Sequence, residues 1–317
     1  MKILIIRLSS IGDIFHTFTL LPDIKNKFPN TEIDWLVDDS FTDVAKLSPL
    51  IDNVISIPLR KWKKNKFTWL INLWKFKKQL KPKQYDYIID TQGLIKSAIL
   101  TKFLFDGLVY GLDYKSARES LASFFYDFTY NVNQNNIAVP RLRGLVSKIF
   151  NLEHDLRKVD FQYKSEDCGI NFANGYVLFL HGTSKDDKKW SLENWTELSN
   201  WLITNTNQQI VLTYSNKSEY DFAINLINTV NSERITLVDK LSFVKLADLI
   251  VRADLVVGVD TGFTHFANLT GRPLIAIYLA SNPSYVGVLE SDIAKNLGGK
   301  GLQVSVDEVI DSINLIK

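Results

Sequence analysis

The sequence is short of several things, and each shortage removes a class of function. There is one cysteine, Cys168, in 317 residues. An internal disulfide is therefore impossible, and a cysteine-rich extracellular scaffold or thiolate metal cluster is excluded. No apolar run approaches the ~18 residues that would read as a membrane span. The opening Met1-Lys2-Ile3-Leu4-Ile5-Ile6-Arg7 is cut short by its arginine and followed by no small-residue cleavage site, so it reads as a first strand rather than a signal peptide. These features lead us to expect a protein made and kept in the cytosol. There is no G-x-x-x-x-G-K-[ST] phosphate loop, no G-x-G-x-x-G fingerprint after the first strand and no G-x-S-x-G elbow. The four histidines, His16, His154, His181 and His265, show no H-E-x-x-H or related spacing, so no metal site is legible.

Acidic residues are missing locally. Residues 53–85 contain none, yet they hold Arg60, Lys61, Lys63, Lys64, Lys66, Lys75, Lys77, Lys78, Lys81 and Lys83, interleaved with Trp62, Phe67, Trp69, Trp74 and Phe76. Such a segment suits an anionic surface, a phosphorylated substrate or nucleic acid, or else it is a solvated helix face with its aromatics in the core. Trp69, Leu73, Phe76 and Leu80 fall at helical spacing and are expected to face inward. The net charge is only +2 and no nucleic-acid module is recognisable, which argues against nucleic acid as the partner.

What is present is an alternation. Strand-like runs at 2–6, 32–37, 54–57 and 87–90 are separated by helical patterns such as 15–28, 68–80 and 94–105. The alternation restarts with strands at 176–180, 209–213, 235–238, 255–259 and 274–277, and with helices at 192–205, 218–230, 243–252 and 263–269. This order predicts an α/β protein with two parallel sheets covered by helices. A chain of this length suits two domains. The polar stretch 155–174 places their junction, giving domains 1–160 and 161–317. The amphipathic C-terminal segment 306–316 is a candidate to pack back on the first domain. No internal repeat is legible.

Ligands of parallel sheets bind beyond the carboxyl ends of the strands. Three loops fall there. Ser9-Ser10-Ile11-Gly12-Asp13 follows the first strand, and Asp13 is either a helix N-cap or a general base facing a cleft. His181-Gly182-Thr183-Ser184 and the nearby Lys188 follow the first strand of the second half, offering hydroxyls, N–H groups and a point charge to a diphosphate. Asp260-Thr261-Gly262 ends another apolar strand and opens a short helix whose N-terminus favours an anion, unless it is an ordinary βα turn. Two polar loops at strand ends in one domain favour a nucleotide diphosphate site.

These motifs carry a resemblance. I-R-L-S-S-I-G-D at 6–13, Y-D-Y-I-I-D-T-Q-G-L-I-K-S-A at 85–98, A-R-E-S-L-A-S-F-F-Y at 117–126, H-G-T-S-K-D-D-K-K-W at 181–190 and V-D-T-G-F-T-H at 259–265 resemble the bacterial lipopolysaccharide heptosyltransferases of glycosyltransferase family 9. The middle three point to the type I branch. The resemblance implies a GT-B fold, two Rossmann-like domains facing across a cleft. It implies inverting, metal-independent transfer of L-glycero-D-manno-heptose from ADP-heptose to a 3-deoxy-octulosonic acid (Kdo) residue of lipid A, at the cytoplasmic face of the inner membrane. No cofactor is then expected, ADP-heptose being a substrate. By the same match Asp13 is the catalytic base, and Thr183, Ser184, Lys188, Asp260, Thr261, Gly262 and His265 line the donor site, with Glu219 on the ribose and Leu241 against the adenine. Ser184 and Lys185 stand where the family pattern has Thr and Arg, and Phe263 and Thr264 replace Leu and Ser. The first-domain cations Arg60, Lys61, Lys63, Lys64 and Arg118 are the expected contacts of an anionic acceptor. The alternatives are another family 9 transferase, of type II or hexose-specific, and a nucleotide-sugar-binding protein without catalysis.

Overall fold

The computed structural model describes residues 1–62, 69–80, 83–133, 136–183 and 185–316. They form two compact units, Met1–Tyr163 and Lys164–Lys317. In the first unit the strands are β1 (Lys2–Ile6), β2 (Glu32–Asp38), β3 (Asn53–Ile57), β4 (Gln84–Asp90), β5 (Asp106–Leu112) and β6 (Phe128–Tyr130). Its helices are α1 (Ile11–Phe18), α2 (Leu21–Lys27), α3 (Thr42–Ala45), α4 (Leu59–Trp62), α5 (Trp69–Gln79), α6 (Ile95–Leu104) and α7 (Ala138–Phe150). The second unit has β7 (Tyr176–Leu180), β8 (Gln209–Leu212), β9 (Ile235–Leu237), β10 (Leu255–Val259), β11 (Leu274–Tyr278) and β12 (Ala294–Gly298). Around them lie α8 (Leu192–Asn205), α9 (Lys217–Val230), α10 (Phe243–Val251), α11 (Gly262–Leu269), α12 (Pro283–Val286) and α13 (Val306–Leu315).

Both sheets are parallel and have the same strand order. The first runs β3-β2-β1-β4-β5-β6, and the second, read from β9, runs β9-β8-β7-β10-β11-β12. Each is the 3-2-1-4-5-6 order of a Rossmann-like sheet, in which the order reverses beside the first strand and a crevice opens at the carboxyl edge. The central strands are apolar because helices cover both of their faces. Ile3, Leu4, Ile5 and Ile6 of β1 are fully buried, as are Val256, Val257 and Val259 of β10.

Register sets the sites. Ile6 lies opposite Asp90, so the loops after β1 and β4 leave the sheet side by side. Leu180 lies opposite Gly258, which does the same for the loops after β7 and β10.

The helical pattern expected over 15–28 is two helices, α1 and α2, with Pro22 in the first turn of the second, where its missing N–H costs nothing. The C-terminal helix α13 belongs to the second unit. Val306 and Val309 are buried in the cluster built by Trp190, Trp195, Ile275 and Ile277, and Trp190 Nε1 donates to the Val304 carbonyl at 2.9 Å. Residues 155–160 are tied to the first unit by Arg143, which is bidentate to Asp23 at 2.7 Å and also donates to the carbonyls of Asp155 and Lys158.

Candidate functional site

In the first unit the expected reactive group is Asp13. It is the third residue of α1 rather than its N-cap, which is Ser10. Asp13 Oδ2 accepts from the backbone N–H of Ser10 at 3.2 Å and from its hydroxyl at 3.1 Å. Its other oxygen pairs with the Arg7 guanidinium at 2.8 Å, with the Arg7 side chain 9% and the Asp13 side chain 29% exposed. Burial pushes the carboxyl up, but Arg7, then His16 and the Ser10 bonds, outweigh it and hold the pKa at about 2 against an ordinary 3.8. Asp13 is thus ionised at neutral pH, with a face open to solvent.

The loop after β4 fixes that arrangement. Arg7 also donates to the Thr91 carbonyl. The Gln92 amide accepts from the Leu8 N–H at 2.8 Å and donates to the Ser9 carbonyl at 3.2 Å. Buried Asp90 organises the loop, accepting from the N–H of Gln92 and Gly93 and from the hydroxyls of Ser97 and Tyr126. The D-T-Q-G motif therefore holds the Asp13 loop. The next segment is pinned in turn, because Glu119 N–H donates to the Gly93 carbonyl at 2.9 Å and Ile95 N–H to the Glu119 carboxylate at 2.7 Å. Exposed Arg118 is carried to the same edge between these bonds. Sequence reading missed Arg141 on α7. Burial and the charges of Arg7 and Arg118 push its pKa down, and Asp13 opposes them. Its isolation on a Pro140- and Gly144-containing segment gave no helical signal. Arg7 pairs with Asp13, and Arg141 feels the charges of Arg7, Asp13 and Arg118, so three guanidinium groups gather at this edge.

Arg60 and Lys61 sit farther along the carboxyl edge, beyond β3. Their segment lacks acids in sequence but not in space. Arg60 lies 3.7 Å from Asp38 and over the Phe41 ring, and Lys61 pairs with Asp39 at 2.6 Å. Lys63, Lys64 and the side chain of Trp69 lie outside the described residues, as does Ser184 of the second unit.

In the second unit the expected donor residues share one edge: Thr183 and Lys188 after β7, Glu219 at the start of α9, Leu241 between β9 and α10, and Asp260 to His265 after β10. Asp260 is their hub. Lys188 Nζ lies 2.6 Å from its Oδ2, Ser281 also donates to that oxygen, and His265 Nε2 lies 4.0 Å from Oδ1. Thr183 Oγ1 donates to the Asp260 carbonyl at 3.1 Å, stitching the two loops together. Ser281, in the turn after β11, was not singled out from sequence; its only signal there is the Ser281-Asn282-Pro283 breaker. Glu219 accepts from the Ser215 N–H and hydroxyl and from the Asn216 amide. Gly182 leaves room beside it, since a Cβ there would displace the Glu219 carboxylate. His181 is not a free base: burial pushes its pKa down, its ring stacks on Phe222 and its Nε2 donates to the Glu219 carbonyl at 3.2 Å. Thr261 is the N-cap of α11, which begins at Gly262.

Among the described residues one group could offer three metal-ligand atoms: Asp167, Cys168 and Asp248. Arg252 lies 3.0 Å from Asp167 and 3.3 Å from Asp248, supplying a cation already. No described helix is long and apolar enough to cross a membrane.

Two Rossmann-like units in one chain, each with a polar cluster at its switch point, are the architecture of the GT-B fold. The model of glycosyltransferase family 9 (heptosyltransferase) matches residues 73–307. Lipopolysaccharide heptosyltransferase 1 of Salmonella typhimurium is 32% identical over 291 residues, 90% of this chain and 91% of that protein. Escherichia coli heptosyltransferase WaaC with ADP superposes with a TM-score of 0.84 at 29% identity, covering all of both chains. The same enzyme with ADP-2-deoxy-2-fluoro heptose gives 0.84 over 99% of each. The chain belongs to glycosyltransferase family 9 and is a glycosyltransferase.

Proposed function

We propose that this enzyme transfers L-glycero-D-manno-heptose from ADP-heptose to Kdo of lipid A, with inversion, in building the lipopolysaccharide inner core at the cytoplasmic face of the inner membrane. The observation that carries the reading is the Arg7–Asp13 pair at the first switch point, in a chain that resembles heptosyltransferase 1 along nine-tenths of its length. An inverting displacement needs one carboxylate to take the acceptor proton and a cationic, hydrogen-bonding site for the leaving diphosphate. Asp13 supplies the first. A carboxylate with a pKa of about 2 is a weak base, but it need not act early. As the new C–O bond forms, the acceptor oxygen becomes positive and its proton acidic, so a weak base that is always ionised suffices.

For the donor, Lys188 and the N–H groups opening α11 would hold the diphosphate, with Thr183 and Ser184 beside them. Glu219, at the start of α9, would take the ribose, and Leu241 the adenine. For the acceptor, Arg118 and Arg141 would meet the Kdo carboxylate near Asp13, and Arg60, Lys61, Lys63 and Lys64 the phosphates of lipid A. The direct test is incubation with ADP-heptose and Kdo-lipid A followed by mass spectrometry of the lipid. Addition of one heptose is expected. Transfer only to an acceptor already carrying heptose, or only from a hexose donor, would replace this reading with another family 9 activity.

Two further outcomes follow. Activity should survive excess EDTA, because Lys188 and the N–H groups opening α11 would meet the leaving diphosphate's charge without a divalent cation. Loss on chelation with recovery on adding magnesium would contradict it. Replacing Arg60, Lys61, Lys63 and Lys64 together by Gln should raise the acceptor KM, and less so as ionic strength rises, while calorimetry shows ADP affinity unchanged. Equal loss of both affinities would place the segment in the nucleotide site or the fold.

A further inference from the structure

The basic segment divides in space. In the first unit, Lys25, Lys46, Arg60, Lys61, Lys83 and Lys102 each face a carboxylate within 4.0 Å. On α5 the described lysines do not: among the described residues no ion pair is formed by Lys75, Lys77 or Lys78. Two of these lysines lie on aromatic rings instead. Lys78 Nζ sits 3.4 Å above the Trp74 ring and Lys77 Nζ 5.0 Å above the Phe103 ring.

The helix spends its inner face on the core, where Leu73 is buried and Phe76 packs edge-on against Trp62 at 5.8 Å. Its outer face carries Ile71, Trp74, Lys75 and Lys78, which follow i, i+3, i+4, i+7 and form one stripe. Ile71 is 54% and Trp74 52% exposed. Phe103 on α6, reached by Lys77, is itself exposed at 36%, and Ile99 one turn earlier at 37%. A large indole and two isoleucines in water, rimmed by lysines that form no ion pair among the described residues, are costly for a soluble surface.

We propose that the outer face of α5, with Ile99 and Phe103 of α6, docks on an anionic phospholipid surface. The lysines supply attraction to the headgroups, and Trp74 and Ile71 enter the interfacial layer, where an amphipathic ring is favoured. A parallel β–α–β crossover runs the helix opposite to its strands, so α5 begins on the carboxyl side of the sheet, the side of Asp13. The docked helix thereby keeps that edge near the membrane, which serves the lipid-acceptor reading above and rests on it.

The test is sedimentation of the full chain with phosphatidylglycerol vesicles and with phosphatidylcholine vesicles, neither containing acceptor. Binding to the anionic vesicles alone is expected. Lys75→Gln with Lys78→Gln should weaken it about 30-fold at low salt, at about 1 kcal/mol per lysine. Ile71→Ser with Trp74→Ser should abolish the part that persists at high salt. All four positions are exposed, so unfolding temperature and transfer to a water-soluble, deacylated acceptor should hold. Equal binding by the variants, no binding by the parent chain, or a preference for a single-stranded RNA over the vesicles would overturn the docking surface. Loss of transfer to the soluble acceptor by the parent chain would instead overturn the proposed reaction and leave the vesicle result standing.

Discussion

Asp13→Asn should fold, bind ADP with near-parent affinity and lose about 10²–10⁴ in turnover, the usual range for a general base. Asparagine keeps the shape and can still accept from Ser10, whereas alanine would leave Arg7, 9% exposed, without its carboxylate. The substitution also removes an ion pair, and the sign of that effect can be worked out. The folded carboxyl sits at about 2, below its ordinary 3.8. Its stabilisation is therefore complete above pH 3.8 and is lost as pH falls through about 2. The depression corresponds to about 2 kcal/mol. Asp13→Asn should thus be less stable than the parent at pH 7 and approach it near pH 2. For turnover, the same value means that no acid limb between pH 5 and 7 can belong to Asp13 in the free enzyme. An acid limb in kcat/KM near pH 6 that disappears in Asp13→Glu would contradict the low value. Near-normal turnover of Asp13→Asn would reduce the residue to a helix-terminal contact.

What could be read ahead of the fold follows from burial. β1, β10 and β11 are covered on both faces, so beyond Lys2 their residues are apolar throughout and mostly Ile, Leu and Val, and the runs announce themselves. β5, β6 and β12 were not legible. β5 reads Asp-Gly-Leu-Val-Tyr-Gly-Leu, and its second glycine, Gly111, is where the Tyr126 ring packs against the backbone. There the glycine records a close approach rather than a turn. β6 and β12 are the outer strands of their sheets and carry polar or half-exposed residues. α7 was hidden by Pro140, which lies in its first turn, and by Gly144, which faces Val132 and Leu156.

The candidate site was legible to the extent that its residues are local in sequence. Strand-loop-helix punctuation located Asp13, Thr183, Lys188 and Asp260. Their partners come from other strands: Gln92 reaches Ser9 across 83 positions and Lys188 reaches Asp260 across 72. No periodicity records which strands are neighbours, so the matching order of the two sheets was invisible although both halves alternate alike. The same gap made residues 53–85 look uniformly basic, when Asp38 and Asp39 at the end of β2 answer Arg60 and Lys61.

Lys188→Ala should lose about 10²–10³ in turnover, the range for deleting one preorganised group that meets developing charge. The side chain is partly buried at 22% exposure and held 2.6 Å from Asp260, so it stands in a fixed place before any ligand arrives. That preorganisation matters because charge grows on the ADP oxygen as the glycosidic bond breaks. A group that meets more charge in the transition state than in the bound donor acts on kcat as well as on binding. ADP affinity should therefore fall by less than turnover, about tenfold. Lys188→Arg keeps the charge but is a wider, planar donor in a place shaped for an ammonium, and should recover only part. The competing role is structural, Lys188 being the counter-ion that keeps Asp260, 10% exposed, from being unpaired beside Ser281 and His265. Asp260→Asn separates the two. If Lys188 acts on the diphosphate, Asp260→Asn should lose less turnover than Lys188→Ala, because the ammonium remains to meet the leaving group. If Lys188 only neutralises Asp260, the double replacement Lys188→Ala with Asp260→Asn should regain most of the activity lost by Lys188→Ala alone. Failure of the double replacement to recover turnover, with its unfolding temperature restored, is the result expected here.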